Sequence, residues 1–390
     1  MANSPKRLPS TFQPSKKDRS LYIHVPFCSH RCGYCNFTLV AGRDDLIDRY
    51  LDAIAKEISW LQGRHRVSTI FLGGGTPSHL NEHQLTRLFE TIATAFDLTS
   101  DCEITVECNP NDLKREKAQV LGRLGVNRIS IGVQSFDAEK LGRLERTHTA
   151  TDIKHAMELT RSFASSVSMD LIFATSGERL STWTHDLEQA LSLTPDHIST
   201  YELTYEKGTS FWSRLSKGEL ENADEQLRCD MYETAIEMLD QNGLKHYEIS
   251  SFAGEGHRCQ HNLAYWNGVD YFAFGPGASR FIDGVRETNH RSTTTYIKRM
   301  EAGESPVAES QKLTDREIAV DRLVFGLRQI DGISLSQFRD LSGFDAEELL
   351  GQNRQLFEQH QLIQIKNNNC RLTGRGLMVA DSIATKIYAG

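Results

Sequence analysis

The chain has 390 residues, with 44 Lys and Arg against 52 Asp and Glu, which gives a formal charge of −8 at pH 7. This length accommodates two domains, and 39% hydrophobic with 25% charged residues is typical of a globular chain rather than a disordered or collagenous one. The acidic balance argues against a general nucleic-acid binder, and no apolar run is long enough to span a membrane.

The first twenty residues carry five basic residues but no apolar stretch, so they do not fit a secretory signal. Pro5, Pro9 and Pro14 also interrupt any amphipathic transit helix. The whole chain holds 8 cysteines, far fewer than a secreted disulfide scaffold of this size needs. We therefore expect residues 1–20 to be a disordered lead-in and the protein to be cytoplasmic.

Short apolar or β-branched runs alternate with longer amphipathic segments from Leu21 to about Gly243. The predicted strands are Leu21–Phe27, Val67–Leu72, Glu103–Cys108, Arg128–Val133, Val167–Phe173 and His197–Leu203. The predicted helices are Leu46–Leu61, Glu82–Phe96, Asp112–Leu124, Thr151–Phe163, Ser181–Leu193 and Ala223–Gln241. This alternation predicts parallel βαβ units. Six repeats without a dinucleotide-binding fingerprint favour an α/β fold of the incomplete (β/α)6 barrel type.

Beyond Gly243 the alternation stops. We predict that residues 21–290 form the barrel and its closing strands, that 291–312 form a short helix and a linker, and that 313–390 form a small helical, winged-helix-like domain. Its predicted elements are helices at Asp315–Arg328, Leu335–Leu341 and Ala346–His360, a ribbon turning at Asn367–Asn369, and a last helix from about Gly376. Its basic residues are interspersed with acids, which argues against nucleic-acid binding.

Three cysteines lie within eight positions, as Cys28-x3-Cys32-x2-Cys35. Thiolates select zinc, copper(I) or iron–sulfur clusters. Structural zinc needs four ligands, and His24 with His30 is the alternative that completes such a shell. Three cysteines on one loop can instead hold three irons of a [4Fe–4S] cluster and leave the fourth iron open.

Five further motifs accompany this loop and carry a resemblance. They are Tyr22-Ile-His-Val-Pro-Phe-Cys28, Gly73-Gly-Gly-Thr-Pro77, Val106-Glu-Cys-Asn-Pro110, Ile131-Gly-Val-Gln-Ser-Phe136 and His261-Asn-Leu-Ala-Tyr-Trp266. Together they resemble the radical S-adenosylmethionine (SAM) enzymes, in the subgroup of oxygen-independent coproporphyrinogen III dehydrogenase and the HemW-type haem chaperones. The resemblance implies a radical SAM barrel, a [4Fe–4S] cluster on Cys28, Cys32 and Cys35, and SAM on the fourth iron.

The motifs follow the predicted strands, and chemistry in β/α barrels sits at the carboxyl ends of the strands. Glycine permits close backbone approach, so residues 73–76 are expected to aim bare amides and a hydroxyl at the ligand. Tyr22 and Phe37 are expected to border the cluster, although either can be ordinary core. The resemblance implies that the residues at the SAM site, with Tyr22 and Phe37 included, are Tyr22, Phe37, Gly74, Gly75, Thr76, Glu107, Gln134, Arg146 and Asp170.

Strand five departs from the pattern of the relatives. They continue Asp-Leu-Ile-x-Gly-Leu-Pro, whereas this chain has Asp170-Leu-Ile-Phe-Ala174-Thr-Ser-Gly177. The change is expected to alter the loop beside the SAM site from Ala174 onwards.

Two features separate the dehydrogenase from the chaperone. In the dehydrogenase the cysteine loop has a fourth cysteine, in the pattern C-x3-C-x2-C-x-C, and the N-terminal arm is longer. In this chain Phe37 stands at the position of the fourth cysteine. A further motif, His261-Asn-Leu-Ala-Tyr265-Trp266, also favours the chaperone, because in the chaperones it is associated with haem. An imidazole can ligate haem iron, and Tyr265 and Trp266 can stack on the macrocycle.

Two alternatives for this segment stay open. His261 can simply hydrogen-bond within a folded loop while the aromatic residues pack. His257, Cys259 and His261 can also share one face of an extended segment and bind a metal ion or haem.

The resemblance implies a haem chaperone with a [4Fe–4S] cluster, SAM and haem, which delivers haem to haem proteins such as those of the respiratory chain. A peripheral membrane contact is a further expectation. The alternative is oxygen-independent coproporphyrinogen III oxidation, in which two propionates become vinyl groups. Whether SAM is cleaved, and thus whether the protein is an enzyme, is left open by the sequence.

Overall fold

The computed structural model describes residues 18–389. The predicted lead-in therefore lies outside the described residues up to position 17. Arg19 and Ser20 already belong to the first strand, because Ser20 pairs with Thr69 and Tyr271 on its two neighbours. The strands are β1 Arg19–Val25, β2 Phe27–Cys28, β3 Val40–Ala41, β4 His65–Gly74, β5 Phe96–Cys108, β6 Arg128–Gln134, β7 Ser166–Phe173, β8 His197–Glu202, β9 Lys245–Glu248, β10 Ser251–Ala253, β11 Tyr271–Phe274, β12 Ser279–Ile282, β13 Val285–Asn289, β14 Val307–Lys312, β15 Ile333–Ser334, β16 Ile363–Lys366 and β17 Asn369–Leu372.

The helices begin and end close to the predicted positions in the first half of the chain. They are α1 Ile47–Ser59, α2 Glu82–Ala95, α3 Arg115–Arg123, α4 Ala138–Arg143, α5 Ala150–Arg161, α6 Leu180–Ser192, α7 Ser210–Ser216, α8 Glu225–Gln241, α9 Gln260–Trp266, α10 Thr293–Ala302, α11 Asp315–Gly326, α12 Leu335–Ser342, α13 Ala346–Leu350, α14 Asn353–Gln359, α15 Gly374–Met378 and α16 Ala380–Ala389. No helix among residues 18–389 is both long and apolar enough to cross a membrane.

A 12-stranded sheet organises the larger part of the molecule, in the order β14-β13-β12-β11-β1-β4-β5-β6-β7-β8-β10-β9. Within this sheet the strands β1, β4, β5, β6, β7 and β8 lie side by side in the order in which the chain reaches them, and they all run parallel. Helices α1, α2, α3, α5 and α6 lie between them in the chain and contribute to one continuous hydrophobic core with the strands. The predicted α/β fold, an incomplete (β/α)6 barrel, is confirmed.

The strands after Gly243 extend both edges of this sheet rather than joining them. Strand β11 lies parallel to β1 and continues into the antiparallel β12, β13 and β14, while β10 and β9 lie beside β8. Strand β14 falls in the predicted linker. The side chains of β14 are mostly exposed, which is why its sequence shows no apolar alternation. Backbone pairing with β13 holds the strand in place.

A second hydrophobic cluster lies in the C-terminal helices and the three-stranded sheet β15-β17-β16. The helix predicted at residues 346–360 is two helices, since Gly351 with φ 53° separates α13 from α14. The ribbon turns at Asn367 and Asn368, which both have positive φ (53° and 61°). Asparagine tolerates that conformation, and two-residue hairpin turns of this kind require it.

Candidate functional site

A cavity of about 1180 Å³ opens at the carboxyl ends of the parallel strands. It is continuous from the cysteine loop to helix α11 in the C-terminal region. The structure brings every predicted site residue to its wall. These are Tyr22, Cys28, Cys32, Cys35, Phe37, Gly74, Gly75, Thr76, Glu107, Gln134, Arg146, Asp170, His261, Tyr265 and Trp266.

The three cysteines lie on the loop that follows β1, and Cys28 ends the short strand β2. Backbone bonds from Val40 to Pro26 (2.8 Å) and from Gly42 to Cys28 (3.3 Å) close the loop at its base. Burial raises the pKa of the Cys28 thiol to about 11, and the Thr76 hydroxyl, 3.2 Å from its Sγ, opposes that rise. A soft metal centre with positive charge would favour the thiolate there.

The donor set fits an iron–sulfur cluster that needs three protein ligands. All three thiols are free and line one cavity, and the Arg146 guanidinium lies 3.8 Å from the Cys32 Sγ, where it stabilises negative charge on sulfur. Of the two histidines in the zinc alternative, His24 is not available as a ligand and only His30 is left. Both ring nitrogens of His24 are occupied, by the Thr38 carbonyl at 2.7 Å and the Tyr22 hydroxyl at 3.0 Å.

The glycine segment does not present bare amides, which corrects the prediction. The N–H of Gly74 donates to Glu107 Oε2 (3.0 Å), that of Gly75 to the Val25 carbonyl (2.8 Å) and that of Thr76 to the Phe27 carbonyl (2.8 Å). The glycines serve close packing instead. A Cβ on Gly74 would lie 2.4 Å from the His24 ring, and one on Gly75 would lie 2.8 Å from the Pro26 backbone.

Two carboxylates line the cavity from strands β5 and β7, which lie on either side of β6. Burial, followed by repulsion from Asp170, raises the pKa of Glu107 to about 7. Burial also raises the pKa of Asp170 to about 6, opposed by the Ser130 hydroxyl, which donates to both carboxylate oxygens at 3.0 and 3.1 Å. This pair is suited to bind a cation such as the ammonium group of a methionine moiety, because a bound positive charge would relieve the repulsion.

Gln134 stands at a break in the sheet. Its φ is 64°, and the pairing of β6 with β7 shifts register between Ile131 and Gln134. Arg146 holds the adjacent backbone, since its Nη2 donates to the Gly132 carbonyl at 3.1 Å and also contacts Asn109. A left-handed non-glycine residue costs free energy, so surrounding contacts must maintain it.

A buried ion triad beside this break was missed by the sequence analysis. Lys140 Nζ lies 2.5 Å from Glu178 and 2.9 Å from Asp186, and all three side chains are 0% exposed. Asp186 also accepts from the Phe136 N–H (2.7 Å), and Glu178 accepts from the Thr175 N–H (2.8 Å). The triad thus fixes the turns after β6 and β7. In sequence these residues look like ordinary surface charges.

The departure from the relatives' pattern places an alanine in a left-handed backbone conformation. Ala174 adopts φ 63°, a conformation that glycine reaches without strain. Its neighbour Ser176 accepts from the Glu221 N–H through its hydroxyl at 3.1 Å. The loop therefore holds a left-handed alanine, and the Ser176 side chain bonds to the segment before α8.

His261 lies on α9 and is 1% exposed. Its Nδ1 is 2.8 Å from the Thr69 hydroxyl and its Nε2 is 2.9 Å from the Tyr265 hydroxyl, so neither nitrogen is free for iron in this arrangement. Burial, followed by the charge of Arg128, lowers its pKa to about 3, which keeps the ring neutral. This arrangement agrees with the hydrogen-bonded alternative. Trp266 packs on Phe325, with ring centroids 6.3 Å apart.

The extended segment proposed for His257, Cys259 and His261 is wrong. Cys259 precedes a helix, and its Sγ donates to Glu103, whose carboxylate also accepts from the His261 N–H at 3.0 Å. His257 instead faces Asp196, 4.0 Å away. Tyr22 is half-buried and stacks on Phe71, whereas Phe37 is 66% exposed at the cavity rim. Because the Phe37 ring is exposed at the rim, it does not belong to the hydrophobic core.

Comparisons with known proteins agree with this geometry. The radical SAM superfamily matches residues 22–190, and the HemN C-terminal domain matches residues 313–379. A solved structure of coproporphyrinogen III oxidase (HemN) from Escherichia coli superposes with a TM-score of 0.83, covering 96% of this chain and 91% of that one at 21% identity, which shows a shared fold. Strands, cavity and cysteine loop thus define a radical SAM protein.

The curated relatives narrow the class. "Heme chaperone HemW" of Bacillus subtilis (strain 168) is 34% identical over 370 residues, covering 94% of this chain and 98% of that protein. The protein of the same name in Escherichia coli (strain K12) is 39% identical over 290 residues, covering 72% and 75%. The chain belongs to the HemW family of radical SAM proteins.

Proposed function

We propose that this protein binds haem in its cavity and transfers it to haem-accepting proteins, with a [4Fe–4S] cluster on Cys28, Cys32 and Cys35 and SAM beside it. The observation that carries the proposal is one continuous cavity of about 1180 Å³, which exceeds the roughly 300–1,000 Å³ of usual ligand pockets. It has room for a second, larger ligand beyond the SAM residues. The name of the HemW relatives gives that ligand its identity.

The SAM end of the cavity is assigned to three groups of residues. Glu107 and Asp170 would receive the ammonium group, Gln134 and Arg146 would border the nucleoside or carboxylate side, and Gly74, Gly75 and Thr76 would line the methionine end. Tyr22 and Phe37 would flank the cluster. When bound, a reduced cluster supplies the electron that can cleave SAM to a 5′-deoxyadenosyl radical.

The haem end is assigned to Tyr265 and Trp266 as packing surfaces. Ligation of iron by His261 requires that the Tyr265 hydroxyl release Nε2, because that nitrogen is hydrogen-bonded in the present arrangement. The variant Tyr265→Phe frees Nε2 while it keeps the ring. If His261 ligates the iron, this variant binds haem at least as tightly as the unaltered protein. Loss of low-spin haem in His261→Gln, and not in Tyr265→Phe, would support the assignment. Low-spin haem in both variants would contradict it.

Haem titration followed by transfer tests the proposed function. The cluster-loaded protein is titrated anaerobically with haem, and saturation of the Soret band at one haem per chain is expected. The loaded protein is then mixed with an apo b-type cytochrome. A transfer rate that rises with acceptor concentration indicates direct delivery, whereas a plateau at the rate of free haem release would contradict it. Absence of saturable binding would overturn the proposal.

Acceptors of the respiratory chain and a peripheral membrane contact belong to the same proposal and rest on the family resemblance. A cytoplasmic site of action is supported by the thiols, since all eight cysteines are free in the fold.

A further inference from the structure

The far end of the cavity has an aromatic lobe, which we define as Trp266, Tyr271, Phe281 and Phe325. Tyr271 and Phe281 are paired across strands β11 and β12, and Trp266 packs on Phe325 of helix α11. These rings come from three separate parts of the chain. Their arrangement suits a flat, largely apolar ligand.

Helix α11 has two occupied faces. Residues 319, 320, 323 and 324 are buried in the C-terminal hydrophobic cluster. Residues 318, 321, 322 and 325 follow the i, i+3, i+4, i+7 spacing of the opposite side and line the cavity. The C-terminal region therefore supplies one wall of the lobe, with a charged residue, Arg322, in it.

Arg322 forms no ion pair within 4 Å in the described part of the chain, and Asp270 is the acid whose charge acts on it from further away. Its Nη2 reaches the Gly268 carbonyl only at 3.5 Å, and its buried Nε has no hydrogen-bond partner. The nearby acids are already engaged. Asp270 lies 3.7 Å from Arg19, and Asp321 pairs with Arg286 and accepts from the Tyr388 hydroxyl at 2.8 Å.

We propose that Arg322 anchors a propionate carboxylate of the tetrapyrrole whose ring lies in the aromatic lobe. This inference rests on the proposed haem binding and extends it to the orientation of the ligand. A partly buried guanidinium without a partner is costly, and its planar donors match a carboxylate in two hydrogen bonds. The flat apolar body and the acidic edge of haem match the rings and the arginine, respectively.

The test compares haem with haem dimethyl ester, which has the same ring but no carboxylate charge. Both are titrated into the cluster-loaded protein and into Arg322→Gln, Arg322→Lys and Arg316→Gln. Arg316 is an exposed residue of the same helix and does not line the cavity, so its variant controls for the loss of one charge. Circular dichroism checks that each variant is folded.

We expect Arg322→Gln to weaken haem binding about 10- to 100-fold and to leave ester binding unchanged. Arg322→Lys should recover part of the loss, and Arg316→Gln should bind both ligands normally. Equal haem affinity in Arg322→Gln would overturn the anchor while the haem-binding function stands. Equal weakening for haem and ester would show that Arg322 acts through packing. Absence of haem binding to the unaltered protein would overturn both proposals.

Discussion

Replacement of Lys140 by methionine tests the buried triad. The three side chains are 0% exposed, with one cation between two carboxylates at 2.5 and 2.9 Å. Methionine keeps much of the volume and leaves two carboxylates without their counter-ion. Breaking a buried ion pair by removing one partner costs about 3–5 kcal/mol. We therefore expect the free energy of unfolding to fall by that amount, as measured by urea denaturation with circular dichroism.

A second substitution separates the charge effect from packing. Glu178→Gln in the Lys140→Met background removes one uncompensated charge and should recover about 0.5–3 kcal/mol of the loss. Lys298→Met, at an exposed position on α10, should change stability by less than about 0.5 kcal/mol. A loss under about 1 kcal/mol for Lys140→Met, or purely additive effects in the double variant, would refute the reasoning.

Three further outcomes are expected. Ala174→Gly should raise the free energy of unfolding by about 1 kcal/mol because φ is 63°, whereas Ala273→Gly within strand β11 should lower it; denaturant titration compares them. Burial raises the pKa of Glu107 to about 7, so its contribution to stability is present at acid pH and is lost as the pH rises through about 7. The Tm of Glu107→Gln minus the Tm of the unaltered apo-protein should therefore increase from about pH 5 to about pH 8. A Tm difference that stays the same at both pH values would contradict this. Cys32→Ala should lose the iron–sulfur absorption after reconstitution while Cys102→Ala, buried away from the cavity, retains it; iron retained by both would contradict the ligand assignment.

The strand order and the place of the site could be predicted from sequence because both depend on local patterns. Alternating βα units specify the parallel strands, and residues such as Cys28, Glu107 and Asp170 lie in or just after the carboxyl-terminal halves of these strands, so they converge once the sheet forms. The short thiol spacing also has few chemical interpretations.

The remainder depends on contacts between distant segments. The amides of Gly74 and Gly75 are consumed by partners that only the folded sheet brings near, such as Glu107 and Val25. Strand β14 has no apolar alternation because its side chains are mostly exposed, so only its backbone pairing with β13 marks it as a strand. His261 is hydrogen-bonded to Thr69, which is 192 positions away in the chain, and the sequence around His261 does not predict that contact.

The choice between haem carrier and porphyrinogen oxidase is tested most directly by one anaerobic experiment. The cluster-loaded protein receives SAM, a reductant and coproporphyrinogen III, and the products are separated by chromatography, while a parallel sample is titrated with haem. We expect no protoporphyrinogen and one haem bound per chain. Multiple turnovers to protoporphyrinogen would contradict the proposed function and would show that Phe37, in place of a fourth cysteine, permits that decarboxylation.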